Sequence, residues 1–228
     1  MLPPKHLLLD SHIDVSPFSD EIRHIYDVAD STRAAQVKYH EHTVSAALFN
    51  LDLAKDQSRE AYQHSQITVE TPYTKEFPHI VSWVQGYAKA KHSVVSRAQM
   101  VVLKPKMPVH KHIDVGLYYA LRARYHLVLS SEGSTMHAGN EQKVFHTGDV
   151  FVFPNTVMHW AYNEGDTDRI HLIFDLLPKS TLALCVRFIY WLVVLHPQQK
   201  RQKGVELINF SKAWKYFKDA VSFANGTR

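Results

Sequence analysis

The chain of 228 residues carries a single cysteine, Cys185, which excludes an internal disulfide and leaves nothing that argues for an oxidising compartment. It also lacks any apolar run of the ~20 residues that a membrane-spanning helix requires. Its nearest approach, 182–195, is strongly apolar but short and is interrupted by Arg187, so it reads as a buried or interface helix. No charged-then-apolar leader pattern is visible in residues 1–10, and the expected location is the cytoplasm. The formal net charge of +4 and pI near 9.0 would suit a nucleic-acid binder if the basic residues formed a stripe, but they are scattered. The one short cluster, Lys200, Arg201 and Lys203, reads as a solvated turn, and no nucleic-acid partner is expected. There is no internal repeat and no low-complexity segment.

What is present suffices for one sizeable core, since 45% of the residues are hydrophobic. Stretches 40–49, 97–103, 122–129, 150–154, 157–162 and 169–175 have the β-branched, aromatic or alternating character of short strands. Many short strands separated by turns predict a mainly β fold, a double-stranded β-helix of jelly-roll or cupin-like type with flanking α-helices. In 78–87, Ile80, Val81, Trp83, Val84 and Tyr87 fall at helical spacing, predicting a helix against the outside of a sheet. Residues 206–223 place Leu207, Phe210, Trp214, Phe217 and Val221 at three- or four-residue steps, a second amphipathic helix. The expected organisation is one domain over 1–178 and a helical extension over 179–228, packed on the core or forming a homodimer contact.

The chemistry concentrates in His110-Lys-His112-Ile-Asp114, followed by His159 and, ten residues later, Arg169. On a strand, His112 and Asp114 are two apart and share a face. With His159 they make the two-imidazole, one-carboxylate set that holds a non-haem Fe(II) while leaving positions open for substrate and O₂. Arg169 adds a cation suited to gripping a dicarboxylate co-substrate such as 2-oxoglutarate bidentately. Residues 163–168 read as a hairpin turn, which would set His159 directly across from Arg169. Arg122, Arg124 and His126 alternate along another strand, a polar row expensive to bury unless it meets an anion.

At these residues the chain resembles the aspartyl/asparaginyl β-hydroxylase family of Fe(II)/2-oxoglutarate oxygenases, which also includes hydroxylases of free amino acids such as proline. The matching positions are Arg97, Pro105, His112 and Asp114, Arg124 and His126, Gly148 and Asp149, His159 and Asn163, and Arg169 and Asp175. Arg33, His42 and Thr43, and the segment from Phe77 to Val81 resemble the family's amino-terminal half, so the likeness runs roughly from Leu9 to Pro178. Some relatives lack the carboxylate ligand, which Asp114 supplies here. Near Val101 relatives can carry a serine that helps hold 2-oxoglutarate. The resemblance implies metal ligation by His112, Asp114 and His159, and 2-oxoglutarate held by Arg169 with His126 and Arg124. It implies a substrate met by Arg122 and Arg124, and a reaction that consumes O₂ and 2-oxoglutarate to hydroxylate a side-chain carbon of an amino acid or peptide, with succinate and CO₂ released.

Other readings stay open. His110 lies two before His112, so a three-His site of the kind found in some cupins, serving a metal-dependent dioxygenase or isomerase without 2-oxoglutarate, competes with the Asp114 reading. A non-catalytic jelly-roll binding module is a third reading, against which the intact ligand set weighs. His137, His146 and His196 lack a partner at ligand spacing and read as surface or satisfied polar groups. Asp175 reads either as a carboxylate orienting Arg169 or a histidine ligand, or as a strand-end residue.

Overall fold

Strand β11 (Arg169–Pro178) organises the molecule, because nine of its ten residues are buried and a strand covered on both faces must lie inside a sheet. The computed structural model, which describes residues 7–31, 38–200 and 206–226, places β11 between β6 (Ala123–Ser130) and β4 (Ser93–Leu103). The sheet continues past β6 to β9 (Val150–Phe153) and β1 (Leu7–Asp10), and past β4 to β2 (Thr43–Leu51) and β3 (Thr68–Glu70). A second sheet has the order β5 (Pro108–His112), β10 (His159–Asn163), β7 (Ser134–Ala138), β8 (Glu141–Val144). Every strand pair is antiparallel. Leu103, Val128, Phe151 and Phe153 of the large sheet pack with Val109, Met136, Ala138 and Ala161 of the small one. The result is the expected mainly β, jelly-roll or cupin-like sandwich, with the two sheets face to face and not closed into a barrel. Arg33, Arg201 and Lys203 lie outside the described residues.

The outer face of the large sheet is covered by helices α1 (Ser19–Val28) and α3 (Pro78–Ala90). In α3, Pro78 opens the first turn, where its missing N–H is not needed. Ile80, Val84 and Ala88 then fall at four-residue steps into the core. Helix α2 (Arg59–His64) is capped by the Ser58 hydroxyl, and α4 (Leu117–Leu121) follows Gly116. Gly116 has φ of 118°, and a Cβ there would collide with the Gln63 carbonyl oxygen. The glycine therefore lets the chain turn sharply just after Asp114.

The carboxyl-terminal helices differ from the sequence expectation in length and partly in face. Helix α5 runs unbroken from Thr181 to Gln199 with a π-helical turn over Trp191–Leu195. Its 19 residues and mean hydropathy of 1.3 meet the bare length and composition of a bilayer span. One side nevertheless packs into the fold through Leu184, Phe188, Trp191 and Leu195. Helix α6 (Phe210–Asn225) buries Ala213, Phe217, Ala220 and Ala224, so of the expected stripe Phe217 is buried and Val221 packs against the same cluster. Phe210 and Trp214 are 60% and 44% exposed, at the edge of the contact, where both rings meet Phe188 of α5.

The segment 163–168 is not a hairpin. It carries the chain from β10 in one sheet to β11 in the other, and Asn163 fixes the crossing by donating from Nδ2 to the carbonyls of Leu103, Lys104 and Thr167 at 2.9–3.2 Å.

Candidate metal centre

His112 closes β5 and His159 opens β10, and the two are paired across the small sheet. Asp114 stands two residues beyond the end of β5, so its position comes from a loop contact and not from strand alternation. Its backbone N–H donates to the Asn155 carbonyl at 3.0 Å, and Asn155 Nδ2 donates to Asp114 Oδ2 at 2.9 Å. One ligand atom each from His112, Asp114 and His159 lies within 4.8 Å of the other two, and all three residues are buried.

His110 faces away from this group. Val109 pairs with Ala161 and His112 with His159, so three steps on β5 match two on β10, a β-bulge. The extra residue puts His110 and Lys111 both outside, with Val109 and His112 both inside. The His110 ring instead meets Glu41 at 3.0 Å, and Lys111 lies over the Trp160 ring at 4.4 Å.

The ring orientations suit a metal. His112 Nδ1 is 2.7 Å from the His110 carbonyl and His159 Nδ1 is 2.9 Å from the Val157 carbonyl. A carbonyl can only accept, so each Nδ1 carries the proton and each Nε2 keeps its lone pair for an ion. Asp114 Oδ2 accepts from both Arg124 and Asn155, which leaves Oδ1 as the ligand oxygen. Burial would raise the Asp114 pKa, but the charge of Arg124, then His159 and His112, and the Asn155 hydrogen bond hold it well below the ordinary carboxylate range. Two neutral imidazoles and one ionised carboxylate fit Fe(II) or a similar divalent ion.

Burial also pushes His159 down to about 4, against the attraction of Asp114. The unfolded ring titrates near 6.5, so between these values the unfolded chain binds more protons. Stability of the metal-free protein is therefore complete above pH 6.5 and is lost as pH falls towards about 4, by on the order of 3 kcal/mol from this ring. His126 and His171, both pushed well down by burial, act in the same direction. Urea midpoints recorded from about pH 7 to about pH 4 should fall accordingly; a flat profile would mean that these rings gain protons in place.

The structure divides the expected cationic row, with Arg124 and His126 lining the cavity and Arg122 outside it. Arg124 donates from Nε and Nη2 to the two oxygens of Asp175 at 2.8 and 3.0 Å and from Nη1 to Asp114. Its guanidinium thus joins a ligand to a second buried carboxylate and is spent on protein partners. Arg122 does not reach the cavity at all. It donates to Ser96 Oγ, to Gln66 Oε1, and to the carbonyls of Gln66 and Tyr118, and stacks on the Tyr118 ring at 3.9 Å. Arg122 is thus turned away from the cavity, whereas Arg124 lines it beside the metal ligands with its nitrogens committed to Asp114 and Asp175.

His126, Arg169 and Val101 do line one cavity with His112 and His159, about 430 Å³ including its open mouth. Arg169 sits at the head of β11, buried, with Nη1 3.3 Å from Ser134 Oγ and 3.1 Å from Met136 Sδ. His126 and His171 share one proton between their Nδ1 atoms at 3.1 Å. Among the described residues, buried His171 Nε2 has no hydrogen-bond partner. An orphaned acceptor costs less than an orphaned N–H, so His171 Nδ1 is the donor and His126 keeps its proton on Nε2.

Sequence reasoning missed Asn155 and His171, which no spacing signal marks, and His40, whose ring lies edge-on to His112 at 5.1 Å. Asp175 was visible only through the resemblance.

No protein of curated function matches the chain. Among solved structures, an oxidoreductase of the 2OG-Fe(II) oxygenase family from Burkholderia pseudomallei is similar at 10% identity and a TM-score of 0.43, over 75% of this chain and 95% of that one. A predicted oxalate decarboxylase from Thermotoga maritima is similar at 20% identity and a TM-score of 0.31, over 41% and 73%. A Cupin 2 conserved barrel domain protein from Salinispora arenicola is similar at 15% identity and a TM-score of 0.27, over 35% of this chain and 60% of that one. The aspartyl/asparaginyl beta-hydroxylase profile matches residues 30–178, well over half of the sequence and all of the metal centre, and the chain belongs to that family.

Proposed function

We propose that the protein is an Fe(II)- and 2-oxoglutarate-dependent hydroxylase of a side-chain carbon in an amino acid, free or within a peptide, with succinate and CO₂ as co-products. The observation that carries this reading is the presence of Arg169 in the same cavity as His112 and His159, which cluster with Asp114. Those three would hold the ion, which when bound supplies a centre for O₂ activation. Arg169 would pair with the distal carboxylate of 2-oxoglutarate, and the His126 Nε2–H would donate to a carboxylate oxygen. Val101 stands where relatives can carry a serine, so His126 is the polar partner this chain offers in its place. Arg124 orients Asp114 and holds it ionised. The apolar wall of Val109, Phe153 and Ile173 keeps water from the reacting groups.

The test is a succinate-release screen of free amino acids and peptides with Fe(II), 2-oxoglutarate and O₂, paired with mass analysis for one added oxygen. Arg169→Ala should raise the apparent 2-oxoglutarate constant roughly ten- to a hundredfold, since a charged bidentate contact is worth about 1.5–3 kcal/mol. An unchanged constant in that variant would show that Arg169 does not hold the co-substrate, and turnover without 2-oxoglutarate would favour a cupin-type metalloenzyme.

We also propose that the protein is a homodimer through α5. Leu182, Val186, Ile189 and Val193 are 75%, 49%, 60% and 65% exposed and follow the 4-3-4 spacing of a coiled-coil seam. Leu207, Phe210 and Trp214 are exposed as well, and a standard interface takes about 800 Å² per partner. Light scattering should give twice the chain mass, and Ile189→Glu one; a wild-type monomer that binds lipid vesicles through this face would sink the idea.

A further inference from the structure

Outside the cavity, on the far side of β5, three metal-ligating side chains meet. Nε2 of His110 is 3.0 Å and Nε2 of His42 is 3.6 Å from the same oxygen, Oε1 of Glu41. All three residues offer a ligand atom within 4.8 Å of the others. In a tetrahedral zinc site with ligand bonds of about 2.0–2.2 Å, neighbouring ligand atoms lie about 3.4 Å apart, and the two observed separations bracket that value. A carboxylate that merely balanced one histidine would not draw a second imidazole to the same oxygen.

We propose that Glu41, His42 and His110 form a second, peripheral site for a divalent transition-metal ion of the zinc or copper type. Two imidazoles and one carboxylate bind such ions more tightly than Fe(II), and the outer site differs from the buried one in exposure and not in donor set. Its position gives occupancy a consequence. The His110 carbonyl accepts from His112 Nδ1, and so the residue that holds the outer ion also orients a ligand of the inner one. On the other side, Glu41 follows His40, whose ring lines the cavity. An ion bridging Glu41, His42 and His110 therefore clamps the 38–42 turn to β5 at the mouth of the cavity.

Zinc binding by the metal-free chain, measured by equilibrium dialysis at buffered free Zn²⁺, should saturate at two equivalents. Glu41→Gln and His110→Ala, both at exposed positions, should each weaken one equivalent at least tenfold and leave the other intact. Saturation at one equivalent in the wild type, or two unchanged equivalents in both variants, overturns the site. Ions are counted here and not turnover, so the outcome is independent of the activity proposed above. Amide exchange across residues 38–43 should slow in the wild type on adding zinc and stay unchanged in His110→Ala; no slowing in the wild type overturns the clamp.

Discussion

Arg124→Ala is expected to lower folding stability by about 3–5 kcal/mol, the cost of leaving a buried charge without its partner. Burial alone would weaken the Arg124 charge, yet Asp175 and Asp114 together hold its pKa well above the ordinary value. The guanidinium is the shared counter-charge of two buried carboxylates, so its loss strands both. Lysine cannot substitute fully, since a point charge does not reproduce the paired Nε and Nη2 bonds to Asp175. Urea denaturation of the metal-free protein reads this directly, and a loss below about 1 kcal/mol would show that solvent already screens the Asp114–Arg124–Asp175 chain. The same variant should bind metal poorly, because Asp114 would no longer be held in place from the large sheet.

Asp114→Ala is expected to weaken Fe(II) binding at the buried site by roughly a hundredfold or more, exceeding the ten- to hundredfold cost typical of losing a supporting residue. It removes the one anionic ligand and strands an Arg124 nitrogen. His110→Ala, at an exposed side chain that keeps its backbone carbonyl, should leave that affinity within about twofold. Competition with a chromophoric chelator under anaerobic conditions separates the two variants. Full retention of Fe(II) by Asp114→Ala together with its loss in His110→Ala would reinstate a three-histidine site.

The identities of the ligands were legible because metal chemistry restricts residue type, and His-x-Asp with a distant histidine is a narrow pattern. Their route to one place was less legible. Strand alternation suggested that one strand presents His112 and Asp114, whereas Asp114 is held by Asn155, a residue with no spacing signal. The hairpin expected over 163–168 failed because a six-residue polar segment reads the same whether it reverses within a sheet or crosses between two. His159 and Arg169 still share a cavity, since the crossing brings the two sheets face to face. The polar row on β6 was correctly read as needing partners. Those partners, Asp175 for Arg124 and Ser96 and Gln66 for Arg122, are remote in sequence, and a bound anion was the nearer guess. On α6 the stripe located Phe217 correctly, while the alanines that share its buried face gave no signal of their own.

The bulge in β5 also bears on how the chain tolerates changes of length. Residues 110 and 111 together occupy the space opposite Trp160, so this strand carries one residue more than its pairing needs. Loss of Lys111 would restore even alternation with Val109 and His112 still inward and His110 still outward. Beyond His112 there is no such slack, because Asp114 is tied to Asn155 by both backbone and side chain. A one-residue deletion is thus accommodated in the strand before His112 and breaks the tie between Asp114 and Asn155 after it.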